Sequence, residues 1–137
     1  MTLAAVVISS MAMAQSGQEC YDKAKECYNN KNFEEAVKWA RKGVEQGDAG
    51  SQTALGVFYL SGHGVSQDFK EAMKWFRKAA EQGDADALCM LAIYYYTGQG
   101  VKKNLTEGIE LMRKAAEQGN LQAQRLQQGI WVIRPIL

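Results

Sequence analysis

The sequence predicts an all-α chain, a solenoid built from stacked helix-turn-helix repeats. Three observations carry this. Glu-Gln-Gly begins at Glu45, Glu81 and Glu117, a constant spacing of 36 residues. Gly-x-Gly-Val occupies Gly62 to Val65 and Gly98 to Val101, again 36 apart. The 137 residues hold a single proline, as a chain of helix interiors requires. A fixed period without drift marks stacked units, each burying its apolar face on the next.

The N-terminal segment stands apart. Thr2 to Ala14 carry no charge, Leu3 to Ile8 form an apolar run, and Ala12-Met13-Ala14 has the small-x-small form of a cleavage site. These features predict a partial signal peptide over residues 1–14 and an exported protein, in the periplasm or cell envelope of a bacterium. Residues 15–137 then form one repeat domain. It comprises a shorter first unit at 21–47, repeats at 48–83 and 84–119, and a capping helix with an apolar tail at 120–137. About seven helices result.

Within each unit the turn is a stop followed at once by a start. Gly47, Gly83 and Gly119 sit where a left-handed C-terminal cap is wanted. Asp48, Asp84 and Asn120 follow directly and can cap the next helix. The second helices open on capping-box patterns at Asn32 to Glu35, Asp68 to Glu71 and Asn104 to Glu107. Behind these caps run matching stripes: Phe33, Ala36, Trp39, Ala40; Phe69, Ala72, Trp75, Phe76; Leu105, Gly108, Leu111, Met112. Such offsets keep to one helical face. The lysines and arginines between them read as a solvated face near the negative end of each helix dipole. The first helices, Ala54 to Leu60 and Leu88 to Tyr96, are apolar nearly all round and should be buried on more than one side.

Composition excludes several functions. A net charge of +1, from 16 basic and 15 acidic residues without a basic run, does not suit a nucleic-acid surface. No apolar run reaches the ~20 residues of a membrane span. Three cysteines cannot all pair within one chain. Cys20 and Cys27 would lie about 10.5 Å apart along a helix, beyond the ~7 Å reach of a disulfide. Free, buried or half-buried thiols are expected. Gly62-His63-Gly64-Val65 follows a helix rather than a strand, so it reads as a crossover loop and not a phosphate cradle. His63 is the only histidine and has no metal-ligand partners grouped near it. No cofactor motif and no metal motif is present.

Leu55-Gly56-x-x-Tyr59, Leu91-Ala92-x-x-Tyr95 and Ala72-x-x-x-Phe76 resemble the tetratricopeptide repeat. The period of 36, Gly-x-Gly-Val and Lys-Ala-Ala-Glu-Gln-Gly are similar to the Sel-1-like repeat, over roughly residues 20 to 128. On this reading the chain has two full Sel-1-like repeats behind a tetratricopeptide-like first unit. The resemblance implies a right-handed α-α superhelix whose first helices line a concave groove holding an extended peptide. Register through Ala24, Gly56 and Ala92 would put Tyr21, Lys25, Tyr28, Thr53, Val57, Leu60, Cys89, Ile93, Tyr96 and Arg125 on it. The function implied is a non-catalytic adaptor or scaffold for a protein or peptide, with neither nucleic acid nor a membrane span. The alternative is a cell-envelope hydrolase, since some cysteine-rich relatives have been described as β-lactamases. Where they carry paired cysteines this chain has Ala80 and Leu88, or Ala116 and Gln124, and it has no Ser-x-x-Lys.

Overall fold

The computed structural model describes residues 16–133, with side chains through Gly129. The signal-peptide reading and the last four residues of the apolar tail lie outside the described residues. Seven helices follow in order: α1 (Gly17–Asn29), α2 (Phe33–Glu45), α3 (Ala49–Ser61), α4 (Phe69–Glu81), α5 (Ala85–Thr97), α6 (Leu105–Glu117) and α7 (Leu121–Ile133). No strand occurs among the described residues. Each helix packs on the next, and α1 also touches α3, which is how pairs stack into a solenoid. Every helix has 13 residues, so the helix starting at Leu121 takes in the first part of the apolar tail, through Ile133.

The stop-start turns form as the sequence requires. Gly47, Gly83 and Gly119 have φ of +74°, +82° and +97°, a region that costs most L-residues strain. The residue after each glycine caps the next helix. Asp48 Oδ2 accepts from the Ser51 N–H at 2.7 Å, Asp84 Oδ2 from Ala87 at 3.0 Å, and Asn120 Oδ1 from Ala123 at 2.8 Å.

The second-helix caps come out differently. Asp68 and Asn104 accept from the Glu71 and Glu107 N–H groups of their own helices, respectively, each at 3.1 Å, but Asn32 makes no side-chain cap bond. The shorter first loop explains this. Lys31 takes φ +61° to close it, and Asn32 N–H donates back to the Cys27 carbonyl. Nor is the return half of a capping box made. The Asp68 and Asn104 N–H groups are already donated to the Tyr59 and Tyr95 carbonyls, at 2.8 Å each, pinning the loop across the preceding helix.

The core has two connected parts. Ala24, Ala36, Val37, Ala40, Leu55 and Phe58 close the first, and Met73, Phe76, Leu88, Leu91, Leu111 and Met112 lead the second. Buried residues on α3 and α5 fall on more than one face, as their all-round apolarity predicts. The stripes need a correction. Val37 and Met73 are buried though outside them, while Phe69 and Leu105 are 39% and 46% exposed. Loop packing accounts for the second difference. The loop of the next unit crosses the start of α2 and of α4: a Cβ on Gly64 would meet the Phe33 carbonyl oxygen at 2.5 Å, and one on Gly100 the Phe69 Cβ at 3.1 Å. His63 lies flat on Phe33, ring centroids 4.2 Å apart, but its counterpart over Phe69 is Gln99. Leu105 has no third Gly-x-Gly-Val to cover it.

Small residues set the close approaches. A Cβ on Gly56 would stand 2.7 Å from the Phe76 ring, whereas one on Gly129 would meet nothing within 4 Å. Gly56→Ala is therefore expected to destabilise the fold by about 1–3 kcal/mol through overpacking. Gly129→Ala, in an open helical position, should stabilise it by up to ~1 kcal/mol. Urea denaturation of the two variants checks the opposite signs.

Candidate functional site

The first helices α1, α3, α5 and α7 line one side of the stack and enclose a hollow of about 370 Å³. Its lining steps diagonally across them. Tyr21, Lys25, Tyr28 and Asn29 come from α1; Thr53, Ala54, Val57 and Phe58 from α3; Asp86, Cys89 and Met90 from the start of α5; and Asn120 and Gln122 from the turn into α7. The volume lies in the range of pockets that bury a small ligand or several side chains.

Of the residues placed on this face from sequence, Tyr21, Lys25, Tyr28, Thr53, Val57 and Cys89 line the hollow. Leu60, Ile93, Tyr96 and Arg125 lie outside it, each further along its helix than the diagonal. Tyr96 is 49% exposed and Arg125 is exposed, and neither forms part of the cavity. A register counted at equal heights on successive helices cannot anticipate a diagonal. Asn29, Asp86, Met90, Asn120 and Gln122 were missed for that reason. The signal for Asn120 was present in its cap position, but a cap reads as structural.

The chemistry of the walls follows from local packing. Tyr28 stacks on Phe58 with centroids 5.6 Å apart, and its hydroxyl is hydrogen-bonded to His63 Nδ1 at 3.2 Å. His63, expected as a plain loop residue, is thus half-buried and holds one wall of the hollow. Thr53 is buried because its hydroxyl donates to Asp84 Oδ2 at 2.7 Å, tying α3 to the cap of α5. Its role in the lining is packing and positioning rather than an open polar contact. Cys89 is buried too, and burial pushes its thiol above the usual cysteine range, with Asp86 adding to the shift. Cys20, Cys27 and Cys89 are free thiols.

The lining carries two charges, Lys25 and Asp86. Lys25 pairs with Asp22 at 3.1 Å and lies 4.3 Å over the Tyr21 ring. Asp86 accepts from Asn120 Nδ2 at 2.7 Å. Burial raises the Tyr21 hydroxyl above its ordinary value; Lys25 pulls it back, and Asp86 and Asp84 push it up again. Among the described residues no His, Cys, Asp and Glu side chains gather as a metal-binding group, and no helix is long and apolar enough to cross a membrane.

Tyr21 and Tyr94 both titrate above the ordinary tyrosine range in the folded chain, chiefly through burial. The unfolded chain gives up these protons first, so stability is intact below about pH 10 and falls as pH rises past it. Tyr94→Phe should flatten that alkaline loss, measured as urea midpoints across the window; an unchanged slope would contradict the assignment.

Comparison with known proteins places this geometry. The family model described as Sel1 repeat matches residues 10–48, 49–84 and 85–120. It takes the first unit as a third repeat, although that unit lacks Gly-x-Gly-Val. A Sel1 repeat protein from Oxalobacter formigenes is 37% identical, with a TM-score of 0.73, over 78% of this chain and 45% of its own. A protective antigen of uropathogenic Escherichia coli strains displaying an SLR fold is 33% identical, with a TM-score of 0.76, over 87% of this chain and 26% of its own. The chain thus spans less than half the length of either. Cysteine-rich protein B of Helicobacter pylori shares the fold at 21% identity and a TM-score of 0.63, over 77% of this chain and 96% of its own. A search of curated proteins gave no match. With its caps, loops and helix pairs in register with three successive repeats, the chain belongs to the Sel1 repeat family.

Proposed function

We propose that the chain is a non-catalytic binding module whose concave hollow receives an extended segment of a protein or peptide partner. The observation that carries this reading is the lining itself. Tyr21, Tyr28, Val57 and Met90 offer aromatic and aliphatic surface, and Asn29, Asn120 and Gln122 offer amides that can hydrogen-bond a passing backbone. Tyrosines give large contact area with few torsions to freeze. The folding of the repeats explains Gly47, Asp48 and their counterparts, but it does not require this mixture on one open face.

The lone histidine, the natural candidate for a general base, is turned to another use. His63 is stacked on Phe33 and bonded to Tyr28. This supports the adaptor reading over the cell-envelope hydrolase suggested by the β-lactamase-like relatives. A displayed peptide library selected on the purified chain tests the proposal. Selected peptides should bind the parent, and Val57→Asp with Met90→Asp should weaken them by about 2–4 kcal/mol, as for loss of a central hot spot. Circular dichroism would establish that the variant is folded. Undiminished binding, or turnover of a β-lactam by the purified parent, would overturn it.

We further read the chain as exported to a bacterial periplasm or envelope, on the strength of Leu3 to Ile8 and Ala12-Met13-Ala14. N-terminal sequencing of the protein recovered from its source cell should begin at Gln15. A mature chain beginning at Met1 would contradict export by this route.

A further inference from the structure

A second hollow, of about 390 Å³, shares no residue with the concave one and is lined by Arg77, Tyr95, Lys102, Lys103 and Asn104. We propose that it is a binding site for a phosphate group, free or carried on a phosphorylated residue.

Every lining side chain can donate a hydrogen bond and none is an acid. Arg77 Nη2 donates to the Tyr95 hydroxyl at 3.4 Å, which orients the guanidinium and leaves the phenol proton free to donate onward. Asn104 Oδ1 is taken by the Glu107 N–H at 3.1 Å, so its amide NH₂ is the end left over. Among the described residues Arg77, Lys102 and Lys103 make no ion pair within 4.0 Å. Three cations around one hollow, none of them in an ion pair, suit a doubly charged oxyanion, whose oxygens can take several charge-assisted bonds at once. The acids Glu81, Glu107 and Glu117 border the adjoining hollow beyond Arg77 and Tyr95, together with Lys114.

The preceding repeat shows what folding alone asks of this place. Arg41 Nη2 donates to the Tyr59 hydroxyl at 3.2 Å, the same pair one period earlier. The loop there is Ser66-Gln67-Asp68 where the later one is Lys102-Lys103-Asn104. Asp68 and Asn104 cap their helices alike. Gln67 Nε2 donates to the Leu60 carbonyl at 2.8 Å, a bond that Lys103 gives up. Lys102 and Lys103 lie past the last turn of α5, which ends at Thr97, and directly before α6, so the helix dipole accounts neither for them nor for replacement of the acid by an amide.

The test uses the full chain, ¹⁵N-labelled, titrated with inorganic phosphate, with a phosphoserine peptide and with its unphosphorylated parent. Saturable shifts confined to the 101–104 loop and the Arg77 side chain are expected, weakening with salt. The triple variant Lys102→Ser, Lys103→Gln, Asn104→Asp rebuilds a loop the fold already accommodates, and should lose about tenfold or more in affinity. The reverse change, Ser66→Lys, Gln67→Lys, Asp68→Asn, should create a second site beside Arg41. Binding of phosphate alone supports a free anion as ligand; tighter binding of the phosphopeptide supports a protein source. No saturable binding, equal binding of the unphosphorylated peptide, or an unaffected triple variant overturns the proposal.

Discussion

The structure depends on one backbone constraint: a glycine at positive φ followed immediately by an Asp or Asn cap. At Gly47-Asp48, Gly83-Asp84 and Gly119-Asn120 the glycine that turns the chain out of one helix is followed directly by the residue that caps the next. The helices on either side therefore have fixed lengths and a fixed entry angle. Asp84 extends the effect, because its carboxylate also takes the Thr53 hydroxyl and so fixes α3 against α5. Gln82 reinforces the same junction by donating to the Gly47 carbonyl and to Gln52, each at 2.9 Å. Through these contacts a local turn sets the distance between successive first helices, and with it the width of the face they line.

That division of labour separates the two sides of the solenoid. The second helices carry Trp39 and Trp75 with cations over them: Lys23 of α1 and Lys42 over the first, Lys74 and Lys78 over the second. The lysine stems shield indole surface that would otherwise face water while the charges remain solvated. The first helices are left to do two things at once, filling the core with Leu55, Phe58, Leu91 and Tyr94 and exposing a lining between them. Such a surface can vary from unit to unit without disturbing the turns.

The repeat architecture was legible in the sequence because its determinants are local and recur at a fixed period. A positive-φ glycine and an adjacent cap need only neighbouring residues to be recognised. The candidate site was legible in part. Tyr21, Lys25, Tyr28 and Val57 could be found by counting along helices, but the diagonal course that adds Asp86 and Asn120 arises from stacking between units. The role of His63 was hidden for a related reason. Its partners Tyr28 and Phe33 lie in the preceding unit, and no short-range pattern joins them. Likewise the spread of basic residues concealed the meeting of Arg77 with Lys102 and Lys103, which only the packing of α4 beside the following loop brings about. The failed cap at Asn32 belongs to the shorter first loop, whose geometry departs from the other two.

The central claim is that the concave hollow receives a partner segment. Backbone amide shift mapping with a selected peptide tests it most directly. The account predicts that perturbations cluster on Tyr21 to Asn29, Thr53 to Phe58 and Asp86 to Met90, following the diagonal. Perturbations concentrated instead on α2, α4 and α6, with the diagonal silent, would contradict it.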